Sequence, residues 1–151
     1  MGWDGCKFAF HSSPLTPHHK VDLMTLKILS TGVDLVEIER FSDAVERHEE
    51  RFLKRVFTDR ELAEVGHNLA SLAARFAAKE AVSKALGTGI GPVSWREIEI
   101  LRGEARQPLL SLHGEAARLA LSMGLKSWSL SLSHTHAYAI AFVVGFEGGE
   151  G

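Results

Sequence analysis

The feature that most constrains the fold of this chain is an alanine-rich run over residues 69–86. The run contains neither Gly nor Pro, and its composition favours a helix. On a helix, residues four positions apart share one face, so Phe76, Glu80 and Lys84 form one stripe. A second stripe consists of small side chains that let another element approach closely: Ala73, Ala77, Ala81 and Ala85. The sequence therefore predicts a long helix that packs closely against a neighbour and carries one carboxylate among cations.

Two interpretations of this carboxylate stay open at the level of the helix alone. Glu80 could bind Mg²⁺, with the cations Arg75, Lys79 and Lys84 binding phosphate groups beside it. Alternatively, Glu80 and Lys84 form an ordinary surface ion pair, worth about 0.3–0.5 kcal/mol. The helix by itself favours the surface pair, and other parts of the chain have to decide between the two.

Composition and charge limit the class of protein. The 151 residues suit one domain, and 45% hydrophobic residues suffice for a core. A net charge of −2 argues against a nucleic-acid partner, and no apolar run is long enough to cross a membrane. No secretory signal is evident, and the single cysteine, Cys6, excludes an internal disulfide. We therefore expect a cytoplasmic protein with neither nucleic acid nor membrane as a partner.

The two ends of the chain differ from its middle. Residues 1–25 contain Gly, Pro and His without a readable period, so we expect a disordered or non-native extension there. Met24 is an alternative start. One folded domain is expected over residues 26–146, followed by a flexible acidic tail over residues 147–151.

Alternating patterns predict the elements of that domain. Residues 26–36 are predicted to form a strand and residues 37–50 an amphipathic helix. Thr58 and Glu61 form a capping-box pattern, which predicts a short helix that ends near Gly66. After the long helix, strands are predicted at residues 97–101, 109–112, 127–133 and 137–144, and a helix at residues 114–123.

Asp34 is the anomaly of the first strand. A carboxylate between Val33 and Leu35 in a core strand is costly unless it is paired, hydrogen-bonded or metal-bound. A simpler explanation is that Asp34 faces solvent or caps the following helix. Gly32, in the same strand, indicates close approach of another backbone or of a ligand.

Three further features each have two interpretations. Arg40, Arg47 and Arg51 give a basic stripe that suits docking of an acidic protein, or a solvated surface of mixed charge. The glycine-rich loop at residues 87–91 could bring backbone N–H groups near a phosphate, or simply connect two elements. His134 at a strand end could donate to a phosphate or lie in solvent.

Three motifs together resemble one family. The first, at residues 31–40, is Gly-x-Asp followed by Arg. The second, at residues 75–87, reads Arg-Phe-x-x-Lys-Glu-Ala-x-x-Lys-Ala-Leu-Gly, and the third, at residues 131–134, reads Ser-Leu-Ser-His. With these motifs at this spacing, residues 26–145 resemble holo-[acyl-carrier-protein] synthase, the small bacterial type of 4′-phosphopantetheinyl transferase.

This resemblance implies an α+β fold in which an antiparallel-rich sheet packs against a long helix. It also implies a homotrimer with the active site between subunits. The implied reaction moves the 4′-phosphopantetheine arm of coenzyme A to a serine of apo acyl carrier protein and releases adenosine 3′,5′-bisphosphate. Mg²⁺ would be the cofactor, with Asp34 and Glu80 as its protein ligands.

The resemblance also implies roles for individual residues. Glu80 and Lys84 would be catalytic, and either Glu80 or a water molecule at the metal would take the serine proton. The coenzyme A contacts would be Arg75, Lys84, Gly87, Gly89 and His134, and the carrier-protein docking residues would be Arg40, Arg47 and Arg51. The same residues also suit a Mg²⁺-dependent nucleotide phosphohydrolase, or a non-catalytic trimeric module that binds nucleotide or an acidic protein.

Overall fold

The structure, a computed structural model, describes residues 29–147. The predicted extension at residues 1–25 and nearly all of the predicted tail at 147–151 lie outside this part. The described elements are β1 (Leu29–Glu37), α1 (Ile38–Val56), α2 (Asp59–Val65), α3 (Leu69–Ala85), β2 (Ile98–Arg102), β3 (Pro108–Leu112), α4 (Gly114–Ser122), β4 (Ser127–His134) and β5 (Tyr138–Phe146). Their order and antiparallel pairing confirm the predicted α+β fold.

Two antiparallel sheets organise these elements. The main sheet has the strand order β1-β5-β4, and β2 and β3 form a separate hairpin. Asp34 of β1 lies opposite Ala141 of β5, which in turn lies opposite Leu132 of β4. These three residues therefore lie on the same face of the sheet, the face that α3 covers.

The long helix α3 packs on this inner face through its alanines, several of which are fully buried. The closest approach is at Gly32, where a Cβ atom would lie 1.8 Å from the carbonyl oxygen of Ala81. The prediction that Gly32 marks a close approach is confirmed, and the approaching group is the backbone of α3. Only a residue without a side chain lets strand and helix come this near.

The expectation that Val33 and Leu35 flank Asp34 in the core was wrong. Val33 and Leu35 are exposed on the outer face of the sheet, because successive side chains of a strand point to opposite sides. Asp34 points inward with Gly32 and Val36, and it is only partly buried.

The prediction that α1 ends at residue 50 was also wrong, because the helix continues to Val56. Phe52 and Val56 extend its apolar side, and Phe52 packs edge-on against Phe41 at 5.9 Å between ring centroids. Lys54 and Arg55 in the last turn favour the longer helix because cations complement the carbonyl end of a helix.

The short helix α2 begins at the predicted capping box. The Thr58 hydroxyl accepts a hydrogen bond from the Glu61 amide at 3.2 Å, and the Glu61 carboxylate accepts one from the Thr58 amide at 2.8 Å.

Among the helices of residues 29–147, none has the length and hydropathy that a membrane span requires.

The outer face of the main sheet carries a group of exposed large apolar side chains on β1 and β5. We call this group the outer apolar face, and it consists of Leu29, Val33, Leu35, Tyr138, Ile140 and Phe142. The neighbouring strand β4 presents serines on the same side, with Ser131 opposite Phe142 and Ser133 opposite Ile140. An apolar patch of this kind on a protein surface indicates an interaction site.

Candidate active site

Two carboxylates far apart in the sequence lie in one cavity. Asp34 comes from β1 and Glu80 from α3, and both line a cavity of about 400 Å³. Burial raises the pKa of Glu80, and the charge of Asp34 raises it further, whereas the charge of Lys84 lowers it. The shared lining of the cavity places the two groups in one site.

Lys84 lies at the same site. Its Nζ donates to Asp34 Oδ1 at 2.7 Å and to the carbonyl oxygen of Val33 at 3.2 Å. The Lys84 side chain is 51% exposed and that of Asp34 is 17% exposed. Lys84 therefore pairs with Asp34 across β1 and α3, and the ion pair that the sequence suggested between Glu80 and Lys84 is not among the ion pairs of residues 29–147. Because half of its surface is free, it can also reach an anionic group that enters the cavity.

One wall of the cavity is aromatic. Phe41, Phe52 and Phe76 line it, and Phe76 stacks on Trp95 with 4.7 Å between ring centroids. The sequence indicated Phe76 as an apolar residue beside Glu80, but it did not predict Phe52 in the site. Extending the apolar spacing of α1 beyond residue 50 would have found Phe52.

The donor set fits Mg²⁺. This ion binds one or two carboxylates and completes its shell with water and substrate phosphate. Asp34 and Glu80 provide two carboxylates, and no group of three or more His, Cys, Asp or Glu residues suited to a metal occurs within residues 29–147. The two like charges at this site, of which Glu80 has a raised pKa, also favour a cation there.

Two of the residues predicted to contact coenzyme A line a second pocket. Arg75 and His134 are part of a pocket of about 270 Å³ that also includes Arg102 and Arg106. Arg75 is buried, donates from Nε to the carbonyl oxygen of Ile100 at 3.0 Å, and pairs with Glu64. His134 is the exposed last residue of β4. The sequence did not predict Arg102 and Arg106, because both lie in and beside a hairpin turn without a motif.

The glycine-rich loop after α3 is folded back onto the helix. Gly87 and Gly89 have φ angles of 74° and 64°, which favour glycine. The amide of Gly87 donates to the carbonyl of Lys84 at 2.9 Å, and that of Gly89 donates to the carbonyl of Ser83 at 3.2 Å. These N–H groups cap the helix, so a coenzyme A contact by the loop would need these bonds to open or would use other atoms.

The three predicted docking arginines share one side of α1. Their positions differ by seven and eleven residues, which is close to whole turns of a helix, and all three are exposed. Arg40 lines the carboxylate cavity. Arg51 lines a groove with His48, Phe52 and Arg55, and Arg47 lies 4.0 Å from Asp43. The basic stripe therefore begins at the candidate site and runs away from it along α1.

Comparisons with known proteins give the family of this chain. The model of the 4′-phosphopantetheinyl transferase superfamily matches residues 30–143. The chain is 49% identical to the holo-[acyl-carrier-protein] synthase of Herpetosiphon aurantiacus over 78% of this chain and 98% of that protein. It is also 49% identical to the enzyme of the same name from Moorella thermoacetica, over 76% of this chain and 91% of that protein.

A solved structure supports membership of the same family. The crystal structure of the Helicobacter pylori holo-[acyl-carrier-protein] synthase, in complex with coenzyme A, superposes with a TM-score of 0.70 at 35% identity. The match covers 76% of this chain and 98% of the Helicobacter protein. The chain belongs to the 4′-phosphopantetheinyl transferase superfamily, in its holo-[acyl-carrier-protein] synthase group.

Proposed function

We propose that this enzyme transfers the 4′-phosphopantetheine arm of coenzyme A to a serine of apo acyl carrier protein with Asp34 and Glu80 as the ligands of a required Mg²⁺. The observation that carries the residue assignment is that β1 and α3 bring these two carboxylates into one cavity. When bound there, Mg²⁺ would neutralise charge on the diphosphate of coenzyme A.

The chemistry assigned to the protein is a single displacement at phosphorus. The serine oxygen of the carrier protein forms a bond to the pantetheine-bearing phosphorus, and the bond from that phosphorus to the leaving phosphate oxygen breaks. Adenosine 3′,5′-bisphosphate leaves, and the serine proton passes to Glu80 or to water. Lys84, half exposed beside Asp34, offsets negative charge on the phosphates.

The other site residues extend this proposal to the two substrates. We keep the prediction that coenzyme A contacts Arg75, Gly87, Gly89 and His134. The cationic lining around Arg75 and His134 supports a phosphate-binding role there. Arg40, Arg47 and Arg51 would dock an acidic carrier protein, since the stripe starts at the carboxylate cavity. Carrier-protein binding should therefore weaken as the salt concentration rises.

A homotrimer and a cytoplasmic location complete the proposal. The outer apolar face supports assembly, because six large apolar side chains on two strands would otherwise remain in contact with water. The single cysteine among 151 residues is compatible with a reducing compartment such as the cytoplasm.

Mass spectrometry tests the reaction directly. Apo acyl carrier protein is incubated with coenzyme A, Mg²⁺ and this enzyme, and its intact mass is followed. We expect the carrier protein to gain one phosphopantetheine group, and to gain none when a chelator removes Mg²⁺. Release of free phosphate would instead identify a phosphohydrolase, and no covalent change at all would identify a binding module.

The metal assignment is tested by Asp34→Ala and Glu80→Ala. Each substitution should lower transfer by more than about 100-fold, because the loss of either ligand leaves the cation with too few protein donors. Circular dichroism should show an unchanged fold in both variants. Near-normal turnover in either variant would show that its carboxylate does not hold the essential metal.

A further inference from the structure

Directly beside Glu80 on α3 lies a fully buried ion pair. Lys79 Nζ lies 2.8 Å from Glu61 Oε2, and both side chains have 0% of their surface exposed. Lys79 points away from the candidate site, so neither the metal nor a phosphate in the carboxylate cavity accounts for its charge. A buried lysine with no substrate in reach requires another explanation.

Every polar group of this pair has a partner. The three protons of the Lys79 ammonium match three acceptors: the Glu61 carboxylate, the Trp95 carbonyl at 3.0 Å and the Ile98 carbonyl at 2.5 Å. Glu61 in turn accepts from the amide of Ile100 at 2.9 Å and from that of Thr58 at 2.8 Å.

The cluster joins three parts of the fold to one point on α3. Glu61 belongs to α2, Trp95 to the short 3₁₀ turn before β2, and Ile98 and Ile100 to β2. A Lys79 that satisfies all three acceptors fixes both the height of α3 along its axis and its rotation about that axis. Successive helical residues differ by about 100° in direction, so the rotation that directs Lys79 toward Glu61 also sets the direction of Glu80.

Stability alone is a weak reason for such a pair. Replacing a buried ion pair by uncharged side chains of similar volume is often neutral for stability, whereas polar groups in a core can select one arrangement among several. On its other side α3 meets β1 mainly through alanines and Gly32, and such small side chains interlock little. The polar cluster is therefore a fully buried feature that can fix the orientation of α3, and Arg75, one turn earlier on the same helix, adds a contact with the Ile100 carbonyl.

We propose that Lys79, through its buried pair with Glu61, is a positioning residue that holds α3 at the rotation in which Glu80 faces Asp34. This inference rests on the proposed function of Asp34 and Glu80 as metal ligands. It assigns Lys79 no contact with coenzyme A, although the residue lies inside the motif that carries Glu80.

The test uses the double variant Lys79→Met/Glu61→Gln. The single change Lys79→Met would leave a buried carboxylate without its cation and endanger folding, whereas the double variant contains no buried charge at this place. The control is Leu125→Ala, a core truncation in the connection between α4 and β4. Leu125 belongs to the same apolar core as α3, so the change lowers the melting temperature without removing a polar contact of α3 or of the carboxylates.

Two measurements on the full-length enzyme distinguish a specific effect on the position of Glu80 from a general loss of stability. Electron paramagnetic resonance measures Mn²⁺ binding in the presence of coenzyme A and without carrier protein, and hydrogen exchange measures protection of α3 amides. At a temperature where both variants are folded, we expect the double variant to bind Mn²⁺ at least tenfold more weakly than the wild type. We also expect its amides around Glu80 to exchange at least tenfold faster than those of Leu125→Ala.

Several outcomes would overturn the proposal. Mn²⁺ binding within twofold of the wild type in the double variant would show that Glu80 is placed without the pair. An equal loss of Mn²⁺ binding in Leu125→Ala would show that any loss of stability has this effect. A wild-type enzyme that binds no Mn²⁺ would instead refute the metal site of the proposed function, and the hydrogen-exchange comparison would still decide whether the pair orders α3.

Discussion

At the scale of single residues, Asp34 and Glu80 are two like charges in one partly buried cavity. Burial and the charge of Asp34 both raise the pKa of Glu80 above its ordinary value. The metal-free folded state therefore binds a proton at Glu80 more tightly than the unfolded chain does. By linkage, Glu80 favours folding at low pH and loses this contribution as the pH rises through its raised pKa.

The variant Glu80→Gln tests this sign. In the presence of a chelator at neutral pH, we expect it to melt at a higher temperature than the wild type, because it removes a repelled charge. The difference should shrink toward about pH 4, where an ordinary glutamate is itself half protonated. Differential scanning calorimetry across this pH range measures it.

Glu115→Gln is the control for that experiment. Hydrogen bonding to Arg118 lowers the pKa of Glu115, so the ionised carboxylate of Glu115 favours the folded state, which is the opposite of the effect at Glu80. Its removal should therefore not raise the melting temperature at neutral pH. A Glu80→Gln variant that melts below the wild type in chelator at neutral pH would contradict the electrostatic description of the cavity.

At the scale of elements, the contact between β1 and α3 places the site. Gly32 allows the backbone of β1 to meet that of α3 at Ala81, and one residue before Ala81 lies Glu80. Two residues after Gly32 lies Asp34, on the same face of the strand. The distance between the two carboxylates is thus set by how closely this strand and this helix approach.

Gly32→Ala should be strongly destabilising. The added methyl group would lie 1.8 Å from the carbonyl oxygen of Ala81, so strand and helix must separate. We expect a loss of about 3 kcal/mol in the free energy of unfolding, measured by urea denaturation, with a loss of transfer activity in the protein that remains folded. Thr31→Ala, on the exposed face of the same strand, is the control and should change little; equal stability of the two variants would contradict this packing.

The helix α1 is the second element on which the proposed function depends. Its exposed arginines extend from the carboxylate cavity along one side, which suits a long acidic partner better than a small substrate.

Arg47→Glu should accordingly raise the KM for the carrier protein several-fold and leave the KM for coenzyme A nearly unchanged, as steady-state kinetics can measure. The charge-matched control is Arg118→Glu on α4, which should affect neither constant. Equal effects of Arg47→Glu on both substrates would show that the stripe does not dock the carrier protein.

At the scale of the whole molecule, the outer apolar face is the feature that a single chain leaves unexplained. Val33, Leu35, Ile140 and Phe142 are exposed on adjacent strands, while the serines of β4 border them. A sheet with one apolar outer face is more stable when other subunits cover that face.

Phe142→Lys should therefore break the proposed homotrimer. Light scattering coupled to size-exclusion chromatography should give three times the 16.5 kDa chain mass for the wild type and a lower mass for the variant. We expect transfer activity to fall with the mass, since the site is proposed to lie between subunits. Leu121→Lys, an exposed leucine on α4, is the control and should keep both; a monomeric wild type would refute the trimer.

Much of this protein is determined by local sequence. The alanine-rich run without Gly or Pro specifies α3, the Thr58–Glu61 capping box starts α2, and the alternation of serines with apolar residues specifies β4. These features need only neighbouring residues for their physical effect. The motifs around Asp34 and Glu80 are also short local segments, and they were enough to indicate the family. The end of α1 was missed, since tertiary packing of Phe52 and Val56 extends the helix.

What the tertiary structure alone decided is the meaning of the charged residues. Asp34 and Glu80 become one site only because β1 lies under α3, and Lys79, beside Glu80 in the sequence, is turned into the core toward Glu61. Arg75, predicted as a substrate contact, is held by Glu64 and the Ile100 carbonyl. The physical reason is that burial and charge pairing depend on distances between elements, and those distances are fixed only when the chain has folded.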